Sequence, residues 1–366
     1  MVVLLVAFAA AAVLGLCIVR SGRAGASALH DHDLDGPQKF HTRPVPRIGG
    51  LAILVGVAAG CIALALGVPA TREPAQWLLL CALPTFVAGL AEDITKRISP
   101  RRRLAFTALS AALAFWLLDA ALVRTAIPGL DTVVSYAAGS LLVTVFVVAG
   151  VANAINIIDG FNGLASMCVV MMLVSIAYVS FQVGDPLLGW LALAGVGAVL
   201  GFFVFNYPAG LIFLGDGGAY FLGFYVAEQA ILLLHRNAAV SPMFPLLLCI
   251  YPVFETLFSI YRRKWLRGVP VGMPDGVHLH SLIYRRVLRW AAGERTAREL
   301  TRRNSMTSPY LWMLCSMSVV PAVLWYDSTA VQAGFIVVFG LTYVLLYWRI
   351  VRFKSPRWLV FRQPRR

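Results

Sequence analysis

Long apolar runs, separated by short polar segments, dominate the pattern of this sequence. Eleven runs approach the about 20 residues that a membrane-spanning helix needs, and charges or Gly and Pro clusters bound each run. The pattern predicts an all-α, polytopic integral membrane protein in which residues 1–366 form a single transmembrane domain. The runs cover roughly 1–19, 48–70, 76–91, 104–123, 132–152, 164–182, 187–205, 217–234, 240–260, 308–326 and 330–348.

The basic residues divide unevenly between the two sides that alternating spans would define. One side holds 28 of the 31 Lys and Arg residues, and the other side holds only Arg72, Arg124 and Arg236. The positive-inside rule therefore predicts an N-terminus outside, a C-terminus inside and a basic cytoplasmic tail at 349–366. The net charge of +14 then follows mostly from topology, and since no nucleic-acid-binding motif accompanies it, we expect no nucleic-acid partner.

Composition agrees with a membrane protein, because 60% of the residues are hydrophobic and only 13% are charged. The run at 1–19 has no basic start and no clear cleavage site, so we expect a retained span rather than a signal peptide. The six cysteines stand alone within apolar runs and form no C-x-x-C pair. This spacing favours small apolar packing residues over a metal or redox site.

The most informative polar segment is NAINIIDGFNGLA at 153–165, which interrupts apolar sequence on both sides. Asn153, Asn156 and Asp159 recur at every third position, and Gly160 and Gly163 follow them. One reading is an active-site loop at a membrane surface. The other is that the polar residues cap helix ends while the glycines make a turn.

The first basic segment, at 20–47, lies on the predicted cytoplasmic side, as the segment at 153–165 does. Lys39 and His41, with Arg43 and Arg47, precede a Pro- and Gly-rich entry to the second run, and this set of cations suits an anion. Three upstream acids allow either a calcium loop or a solvated acidic turn. The turn is favoured, because the Gly and the final Glu of a calcium loop are missing. These acids are Asp31, Asp33 and Asp35.

Two acidic motifs follow on the same side. Glu92 and Asp93 end the third run just before Lys96, and acids at such a place are costly, so they are either functional or paired with the neighbouring bases. Asp216 stands between Gly215 and Gly217 at the start of another run. Glycines let a ligand approach the backbone, and a carboxylate beside them suits Mg²⁺ held against phosphates.

The last motif contains His278 and His280, two positions apart and between basic runs. Zinc is one option, although zinc would need further His, Cys or carboxylate ligands close by. With Arg and Lys all around, contact with phosphate is the better interpretation.

Together these motifs resemble the polyprenyl-phosphate N-acetylhexosamine-1-phosphate transferases of glycosyltransferase family 4. The resemblance rests on N-x-x-N-x-x-D-G-x-x-G-L at 153–164, F-L-G-D-G-G at 213–218 and H-x-H at 278–280, preceded in the same order by P-x-P-R-I-G-G at 44–50 and the acidic pair. It covers roughly residues 35–350 and includes relatives that transfer phospho-N-acetylmuramoyl-pentapeptide. Two departures are Glu92, where relatives have Asp, and Ser281, where they often have a further His.

The resemblance implies transfer of an N-acetylated sugar 1-phosphate from a UDP-sugar to a polyprenyl phosphate in a bacterial inner membrane. Mg²⁺, or Mn²⁺ in its place, is the implied cofactor, with Asn156 and Asp216 as its ligands. The implied catalytic residues are Asp93, Glu92, Asp159, His278 and His280, and the implied substrate-binding residues are Lys39, His41, Lys96, Asn153 and Gly215.

The remaining expectations concern partners and alternatives. The expected partners are the UDP-N-acetyl sugar, the lipid phosphate and the bilayer, and a homodimer stays open. The product would start a cell-surface polysaccharide such as O-antigen, capsule or exopolysaccharide. The alternatives are a secondary transporter, which would bind at the bilayer midplane between repeats, and a catalytically inactive scaffold suggested by Glu92.

Overall fold

The chain forms a bundle of α-helices in the computed structural model, which describes residues 1–23, 30–31, 45–268, 270, 276–288 and 296–352. Short strands β1 (His30–Asp31) and β2 (Val45–Pro46) pair antiparallel, and π-helical turns follow α11 and α12 at Arg262–Leu266 and Ile283–Val287. The helices are α1 (Val2–Arg23), α2 (Gly49–Gly67), α3 (Arg72–Thr95), α4 (Pro100–Leu117), α5 (Leu130–Val134), α6 (Ala137–Ile158), α7 (Leu164–Gln182), α8 (Pro186–Asn206), α9 (Gly215–Arg236), α10 (Phe244–Leu248), α11 (Ile250–Tyr261), α12 (Leu279–Leu282), α13 (Ala297–Leu324) and α14 (Thr329–Val351).

Nine helices of the described ranges are long and apolar enough to cross a membrane. The run at 104–123 is not among these nine. Helix α4 has three arginines in its first turn and ends at Leu117. The buried Leu122 follows this helix and donates its N–H to the Thr144 hydroxyl at 2.9 Å. The run at 240–260 differs because Cys249 separates two short helices, α10 and α11. The all-α polytopic class is confirmed, whereas the count of eleven and the orientation stay predictions.

Helix α9 is the centre of the bundle, since every residue of its apolar window is buried. It packs against α2, α3 and α6. Gly217 lies against Gly89 of α3, and Gly218 lies against Gly50 of α2, so closely that a Cβ on any of them would collide with backbone. Small residues allow membrane helices this approach, and here they fix the N-terminal end of α9.

Polar contacts hold the C-terminal end of α9. A helix of 22 residues is about 33 Å long, so these contacts lie about that far from the N-terminal end of α9. Arg236 donates to both carboxylate oxygens of Asp185, at 2.6 and 3.3 Å. Arg124 donates to the carbonyls of Leu234 and Asn237, at 2.9 and 2.8 Å. Two of the three basic residues predicted on the outer side therefore serve as structural links between helix ends.

Candidate active site

The candidate site lies at the N-terminal end of α9, where the Asp93 carboxylate accepts hydrogen bonds from the first backbone N–H groups of that helix. Asp93 is 7% exposed. It accepts the N–H of Asp216 at 2.8 Å and the N–H of Gly217 at 2.9 Å. The first N–H groups of a helix have no partner within the helix, and a carboxylate there also interacts favourably with the helix dipole. Asp93 therefore fixes the position of the Gly-Asp-Gly turn.

Asp216 is the point where three other elements meet. Its Oδ1 accepts the Nδ2–H of Asn156, from the end of α6, at 2.9 Å. Its Oδ2 pairs with Arg103, from the first turn of α4. Arg47 lies 3.8 Å from Asp216 and 3.7 Å from Asp93. Two acids and two guanidinium groups thus share a pocket in which 14% of the Asp216 side chain is exposed.

Backbone pairing brings Arg47 to this point, because the P-R-I-G-G segment runs beside the F-L-G segment. Phe213 donates its N–H to the Pro46 carbonyl at 2.8 Å, and Gly49 and Gly50 donate theirs to the carbonyls of Phe213 and Leu214, at 3.0 and 2.9 Å. Two motifs that are about 165 residues apart in sequence therefore form one unit. These bonds also satisfy N–H groups at the start of α2.

The three-residue spacing in the Asn-rich motif places its polar groups along one side of the C-terminal end of α6. Asn156 reaches Asp216, and Asn153 accepts the hydroxyl of Tyr220 at 3.1 Å. Asp159 follows the last residue of α6 and is half-buried. Burial raises the pKa of Asp159 to about 7, while the positive charge of Arg47 opposes that shift. Asn156 therefore contacts Asp216 directly, and Asn153 contacts Tyr220 of the same helix α9, while the functional roles of these residues stay predictions.

Neighbouring helices hold the loop that follows Asp159. Asn162 donates its N–H to Asn304 Oδ1 at 2.9 Å, and its carbonyl accepts the Ser308 hydroxyl at 2.6 Å. Two hydrogen bonds therefore hold the loop against α13. Gly163, with φ of 73°, donates its N–H to Asn206 Oδ1 of α8 at 2.7 Å. Asn153 and Asn156 lie within α6, and Gly163 precedes α7 without a side-chain cap, so these asparagines do not cap helix ends. The active-site role of the loop stays a prediction.

His278 and His280 lie next to the loop that follows Asp159. Their rings stack at 5.1 Å with an interplanar angle of 11°. His280 also meets the Phe161 ring edge at 5.5 Å, and a Cβ on Gly160 would lie 3.3 Å from His280 Nε2. His278 Nδ1 lies 2.9 Å from Glu255 Oε1. The H-x-H motif therefore lies against the Asp159–Gly160 turn.

The donor set at Asp216 fits a Mg²⁺ ion. Within the ranges that the structure covers, no three His, Cys, Asp or Glu side chains group as ligands of one ion. Mg²⁺ does not need such a cage, because it usually keeps several waters and binds through one or two protein oxygens plus substrate phosphates. Asp216 Oδ1 and the adjacent Asn156 amide, whose O and N positions are interchangeable by a flip, would supply such oxygens.

The other predicted residues have less central places. Lys96 is exposed at the end of α3, in a left-handed conformation with φ of 54°. Glu92 is half-buried, and its carboxylate accepts the Ile98 N–H at 2.6 Å rather than joining Asp93. Gly215, with φ of 75°, lies against the Arg47 carbonyl and the Asp93 carboxylate, so the protein itself makes the close approach that we expected of a ligand.

Some predicted segments lie outside the described residues. They include Lys39, His41, Asp33, Asp35 and nearly all of the basic tail at 349–366.

Sequence reasoning missed Arg103 and Glu255 as members of the site. Arg103 stood in a basic run and resembled a topological signal, yet it pairs with Asp216 and lies 5.4 Å from the Tyr220 ring centre. Glu255 is an isolated acid within the apolar run at 240–260, and the cost of such an acid was the available signal.

The comparisons with known proteins agree on one family. The family described as glycosyl transferase family 4 matches residues 75–234, which include the acidic pair, the Asn-rich loop and Asp216. The chain is 31% identical over 251 residues to a probable undecaprenyl-phosphate N-acetylglucosaminyl 1-phosphate transferase of Bacillus subtilis, covering 68% of each chain. It is 28% identical over 262 residues to an undecaprenyl-phosphate alpha-N-acetylglucosaminyl 1-phosphate transferase of Thermotoga maritima, covering 70% of this chain and 75% of the relative. It is 30% identical over 269 residues to a phospho-N-acetylmuramoyl-pentapeptide-transferase of Rhodopseudomonas palustris, covering 65% and 74%.

Proposed function

Because this chain belongs to glycosyl transferase family 4, we propose that it transfers an N-acetylated sugar 1-phosphate from a UDP-sugar to a polyprenyl phosphate. In this reaction an oxygen of the lipid phosphate forms a bond to the β-phosphorus of the UDP-sugar. The bond between that phosphorus and the bridging oxygen breaks, and UMP leaves with the electron pair. The products are a polyprenyl-diphospho-sugar and UMP.

The observation that carries the proposal is the meeting of Asn156, Asp216, Arg47 and Arg103 at one end of α9. Two polyanions must approach each other in this reaction, so their charge has to be balanced by fixed groups. Catalysis of phosphoryl-type transfer arises mainly from positioning and from such electrostatic stabilisation. When bound, Mg²⁺ supplies Lewis-acid stabilisation of the diphosphate, and Asp216 and Asn156 would hold it.

The chain's own cations have a direct role in this proposal. Arg47 and Arg103 balance the charge of Asp93 and Asp216 in the structure, and guanidinium groups bind phosphate with the same geometry as carboxylate. Each arginine would keep an anionic partner on passing from a carboxylate to a substrate phosphate, and bound Mg²⁺ would then balance the charge of Asp216. His278 and His280, with Lys39, His41 and Lys96, would contact further phosphate oxygens.

Asp159 is the group best suited to handle a proton. Its pKa of about 7 lies close to the second pKa of a phosphate monoester, about 6, so it can accept a proton from the lipid phosphate near neutral pH. Asp93 has a different part, because its carboxylate is occupied with the backbone of α9. It acts by positioning Asp216, while Glu92 supports the turn after α3 and Asn153 links α6 to α9 through Tyr220.

The proposal also includes the cellular setting. We place the enzyme in a bacterial inner membrane, where it would begin a cell-surface polysaccharide on undecaprenyl phosphate. The inactive-scaffold alternative rested on Glu92, and it loses weight because the Glu92 carboxylate caps a turn outside the Asp93–Asp216 cluster.

The test is a panel of UDP-N-acetyl sugars incubated with purified protein, Mg²⁺ and polyprenyl phosphate. We expect UMP release from at least one sugar, and this release should require the lipid phosphate. No UMP release from any sugar by protein that is folded would overturn the proposal. Substrate accumulation in sealed vesicles without UMP release would instead indicate the transporter.

A further inference from the structure

Glu255 is a buried carboxylate on α11, and its side-chain hydrogen bonds to described residues lead to the histidine motif and to α14. It is 1% exposed. Its Oε1 lies 2.9 Å from His278 Nδ1 and accepts the Leu279 N–H at 3.1 Å. Its Oε2 accepts the Tyr343 hydroxyl at 2.8 Å. Burying a carboxylate is costly unless hydrogen bonds replace the lost water, and here both oxygens have partners.

This arrangement fixes the His278 ring. Glu255 accepts the Leu279 N–H and the Tyr343 hydroxyl, and an ionised carboxylate can only accept hydrogen bonds, so we assign the ring hydrogen of His278 to Nδ1. The Nε2 edge is then directed away from Glu255. A carboxylate behind a histidine sets both the tautomer and the orientation of the ring in this way.

The orientation of His278 extends to the rest of the site through the stacked pair. His280 lies parallel to His278 and against the Gly160 turn, which directly follows Asp159. A rotation of the His278 ring would therefore disturb the His280 ring and its contact with that turn. The Leu279 N–H, held by the same carboxylate, fixes the backbone between the two histidines.

We propose that Glu255 is a positioning residue, which acts through His278 and holds its Nε2 edge toward the substrate phosphates. The inference rests on the proposed function, because it assigns Glu255 to the same phosphotransfer site. Glu255 does not touch the substrate itself. Its part is to keep the histidine pair in one geometry while the diphosphate binds and reacts.

The test is a double-mutant cycle of Glu255→Gln and His278→Gln, measured as kcat/KM for UMP release. Glu255→Gln should lower kcat/KM by about 10–100-fold, as other residues behind functional side chains do. In the His278→Gln background, the same change should cost less than about 2-fold, because its target is gone. Losses that multiply in the double variant, or an unchanged Glu255→Gln enzyme, would overturn the proposal.

Two further variants separate positioning from stability. Tyr343→Phe removes one donor from Oε2 but leaves the His278 contact, so it should lower thermal stability more than kcat. Glu228→Gln is the matched control, because Glu228 is also fully buried and its carboxylate has no hydrogen-bond partner among the described residues. It should keep near wild-type kcat/KM.

If Glu255→Gln does not fold, Glu255→Asp takes its place in the cycle, with the same non-additivity expected. A wild-type protein with no UMP release from any sugar would instead refute the proposed function, and that result is distinct from every outcome of the cycle.

Discussion

The acidic pair that ends α3 gives the sharpest test of the site, because its two members have different contacts. Asp93→Asn replaces a carboxylate that accepts the N–H groups of Asp216 and Gly217. An asparagine offers one oxygen and one NH₂ group, so one of these two N–H groups would face another donor. Glu92→Gln, in contrast, keeps an acceptor for the Ile98 N–H on a half-buried side chain.

The size of the effect follows from these contacts. A hydrogen bond to a charged group contributes about 1.5–3 kcal/mol, and a carboxylate at a helix N-terminus adds about 0.3–1 kcal/mol. If about three quarters of this total of about 1.8–4 kcal/mol serves to position Asp216, the barrier rises by about 1.4–3 kcal/mol. Since 1.4 kcal/mol is tenfold in rate, Asp93→Asn should slow UMP release by about 10–100-fold. Glu92→Gln and Glu92→Asp should stay within about threefold of wild type.

The assay is UMP release at saturating substrates, repeated over a Mg²⁺ titration. Because Asp93 acts on the position of Asp216, Asp93→Asn should also raise the Mg²⁺ concentration needed for half-maximal rate. Glu92→Gln serves as the neighbouring control and should leave that concentration unchanged. The reasoning is refuted if Glu92→Gln abolishes activity while Asp93→Asn leaves it intact.

Three other outcomes are expected. Asp216→Asn and Asn156→Ala should each remove nearly all turnover while the protein still folds, and about half of the activity at unchanged Mg²⁺ would show a capping role instead. Between its ordinary pKa of about 4 and its pKa of about 7, the folded protein keeps a proton on Asp159 that the unfolded chain has lost, so the free energy of unfolding should fall as pH rises through this range. Asp159→Asn should flatten that dependence in thermal unfolding, and an unchanged slope would contradict the shifted pKa. Cysteines at the exposed positions Lys96 and Arg72, at the two ends of α3, should be labelled from the cytoplasm and from outside respectively, and the reverse pattern would invert the topology.

Local features of the sequence were sufficient to predict much of the fold and part of the site. Apolar runs predict helices because a backbone in lipid must satisfy its own hydrogen bonds. The spacing of Asn153, Asn156 and Asp159 places them near one helix end. The runs at 104–123 and 240–260 do not each form one long apolar helix, because hydropathy does not show where a buried segment finds partners outside a helix, as Leu122 does with Thr144.

The contacts between distant segments could not be read from the sequence. Arg103 pairs with a residue 113 positions away, and Glu255 reaches a histidine 23 positions away across a helix break. Such pairs depend on how helices pack, and no local pattern records that packing. The contact of Asp93 with the start of α9 could not be read for the same reason, since an acid at the end of one helix meets the start of another only after both helices are placed.

The complete burial of α9 has a consequence for how the enzyme responds to its bilayer. Lipid chains meet outer helices such as α14, of whose apolar window only 17% is buried, whereas they do not meet α9 at all. A bilayer that is too thick or too thin acts on lipid-facing helices through hydrophobic mismatch, at a modest cost per Å. The helix that carries Asp216 is shielded from that stress by its neighbours. Mismatch should therefore change the tilt of the outer helices before it changes the geometry of the site.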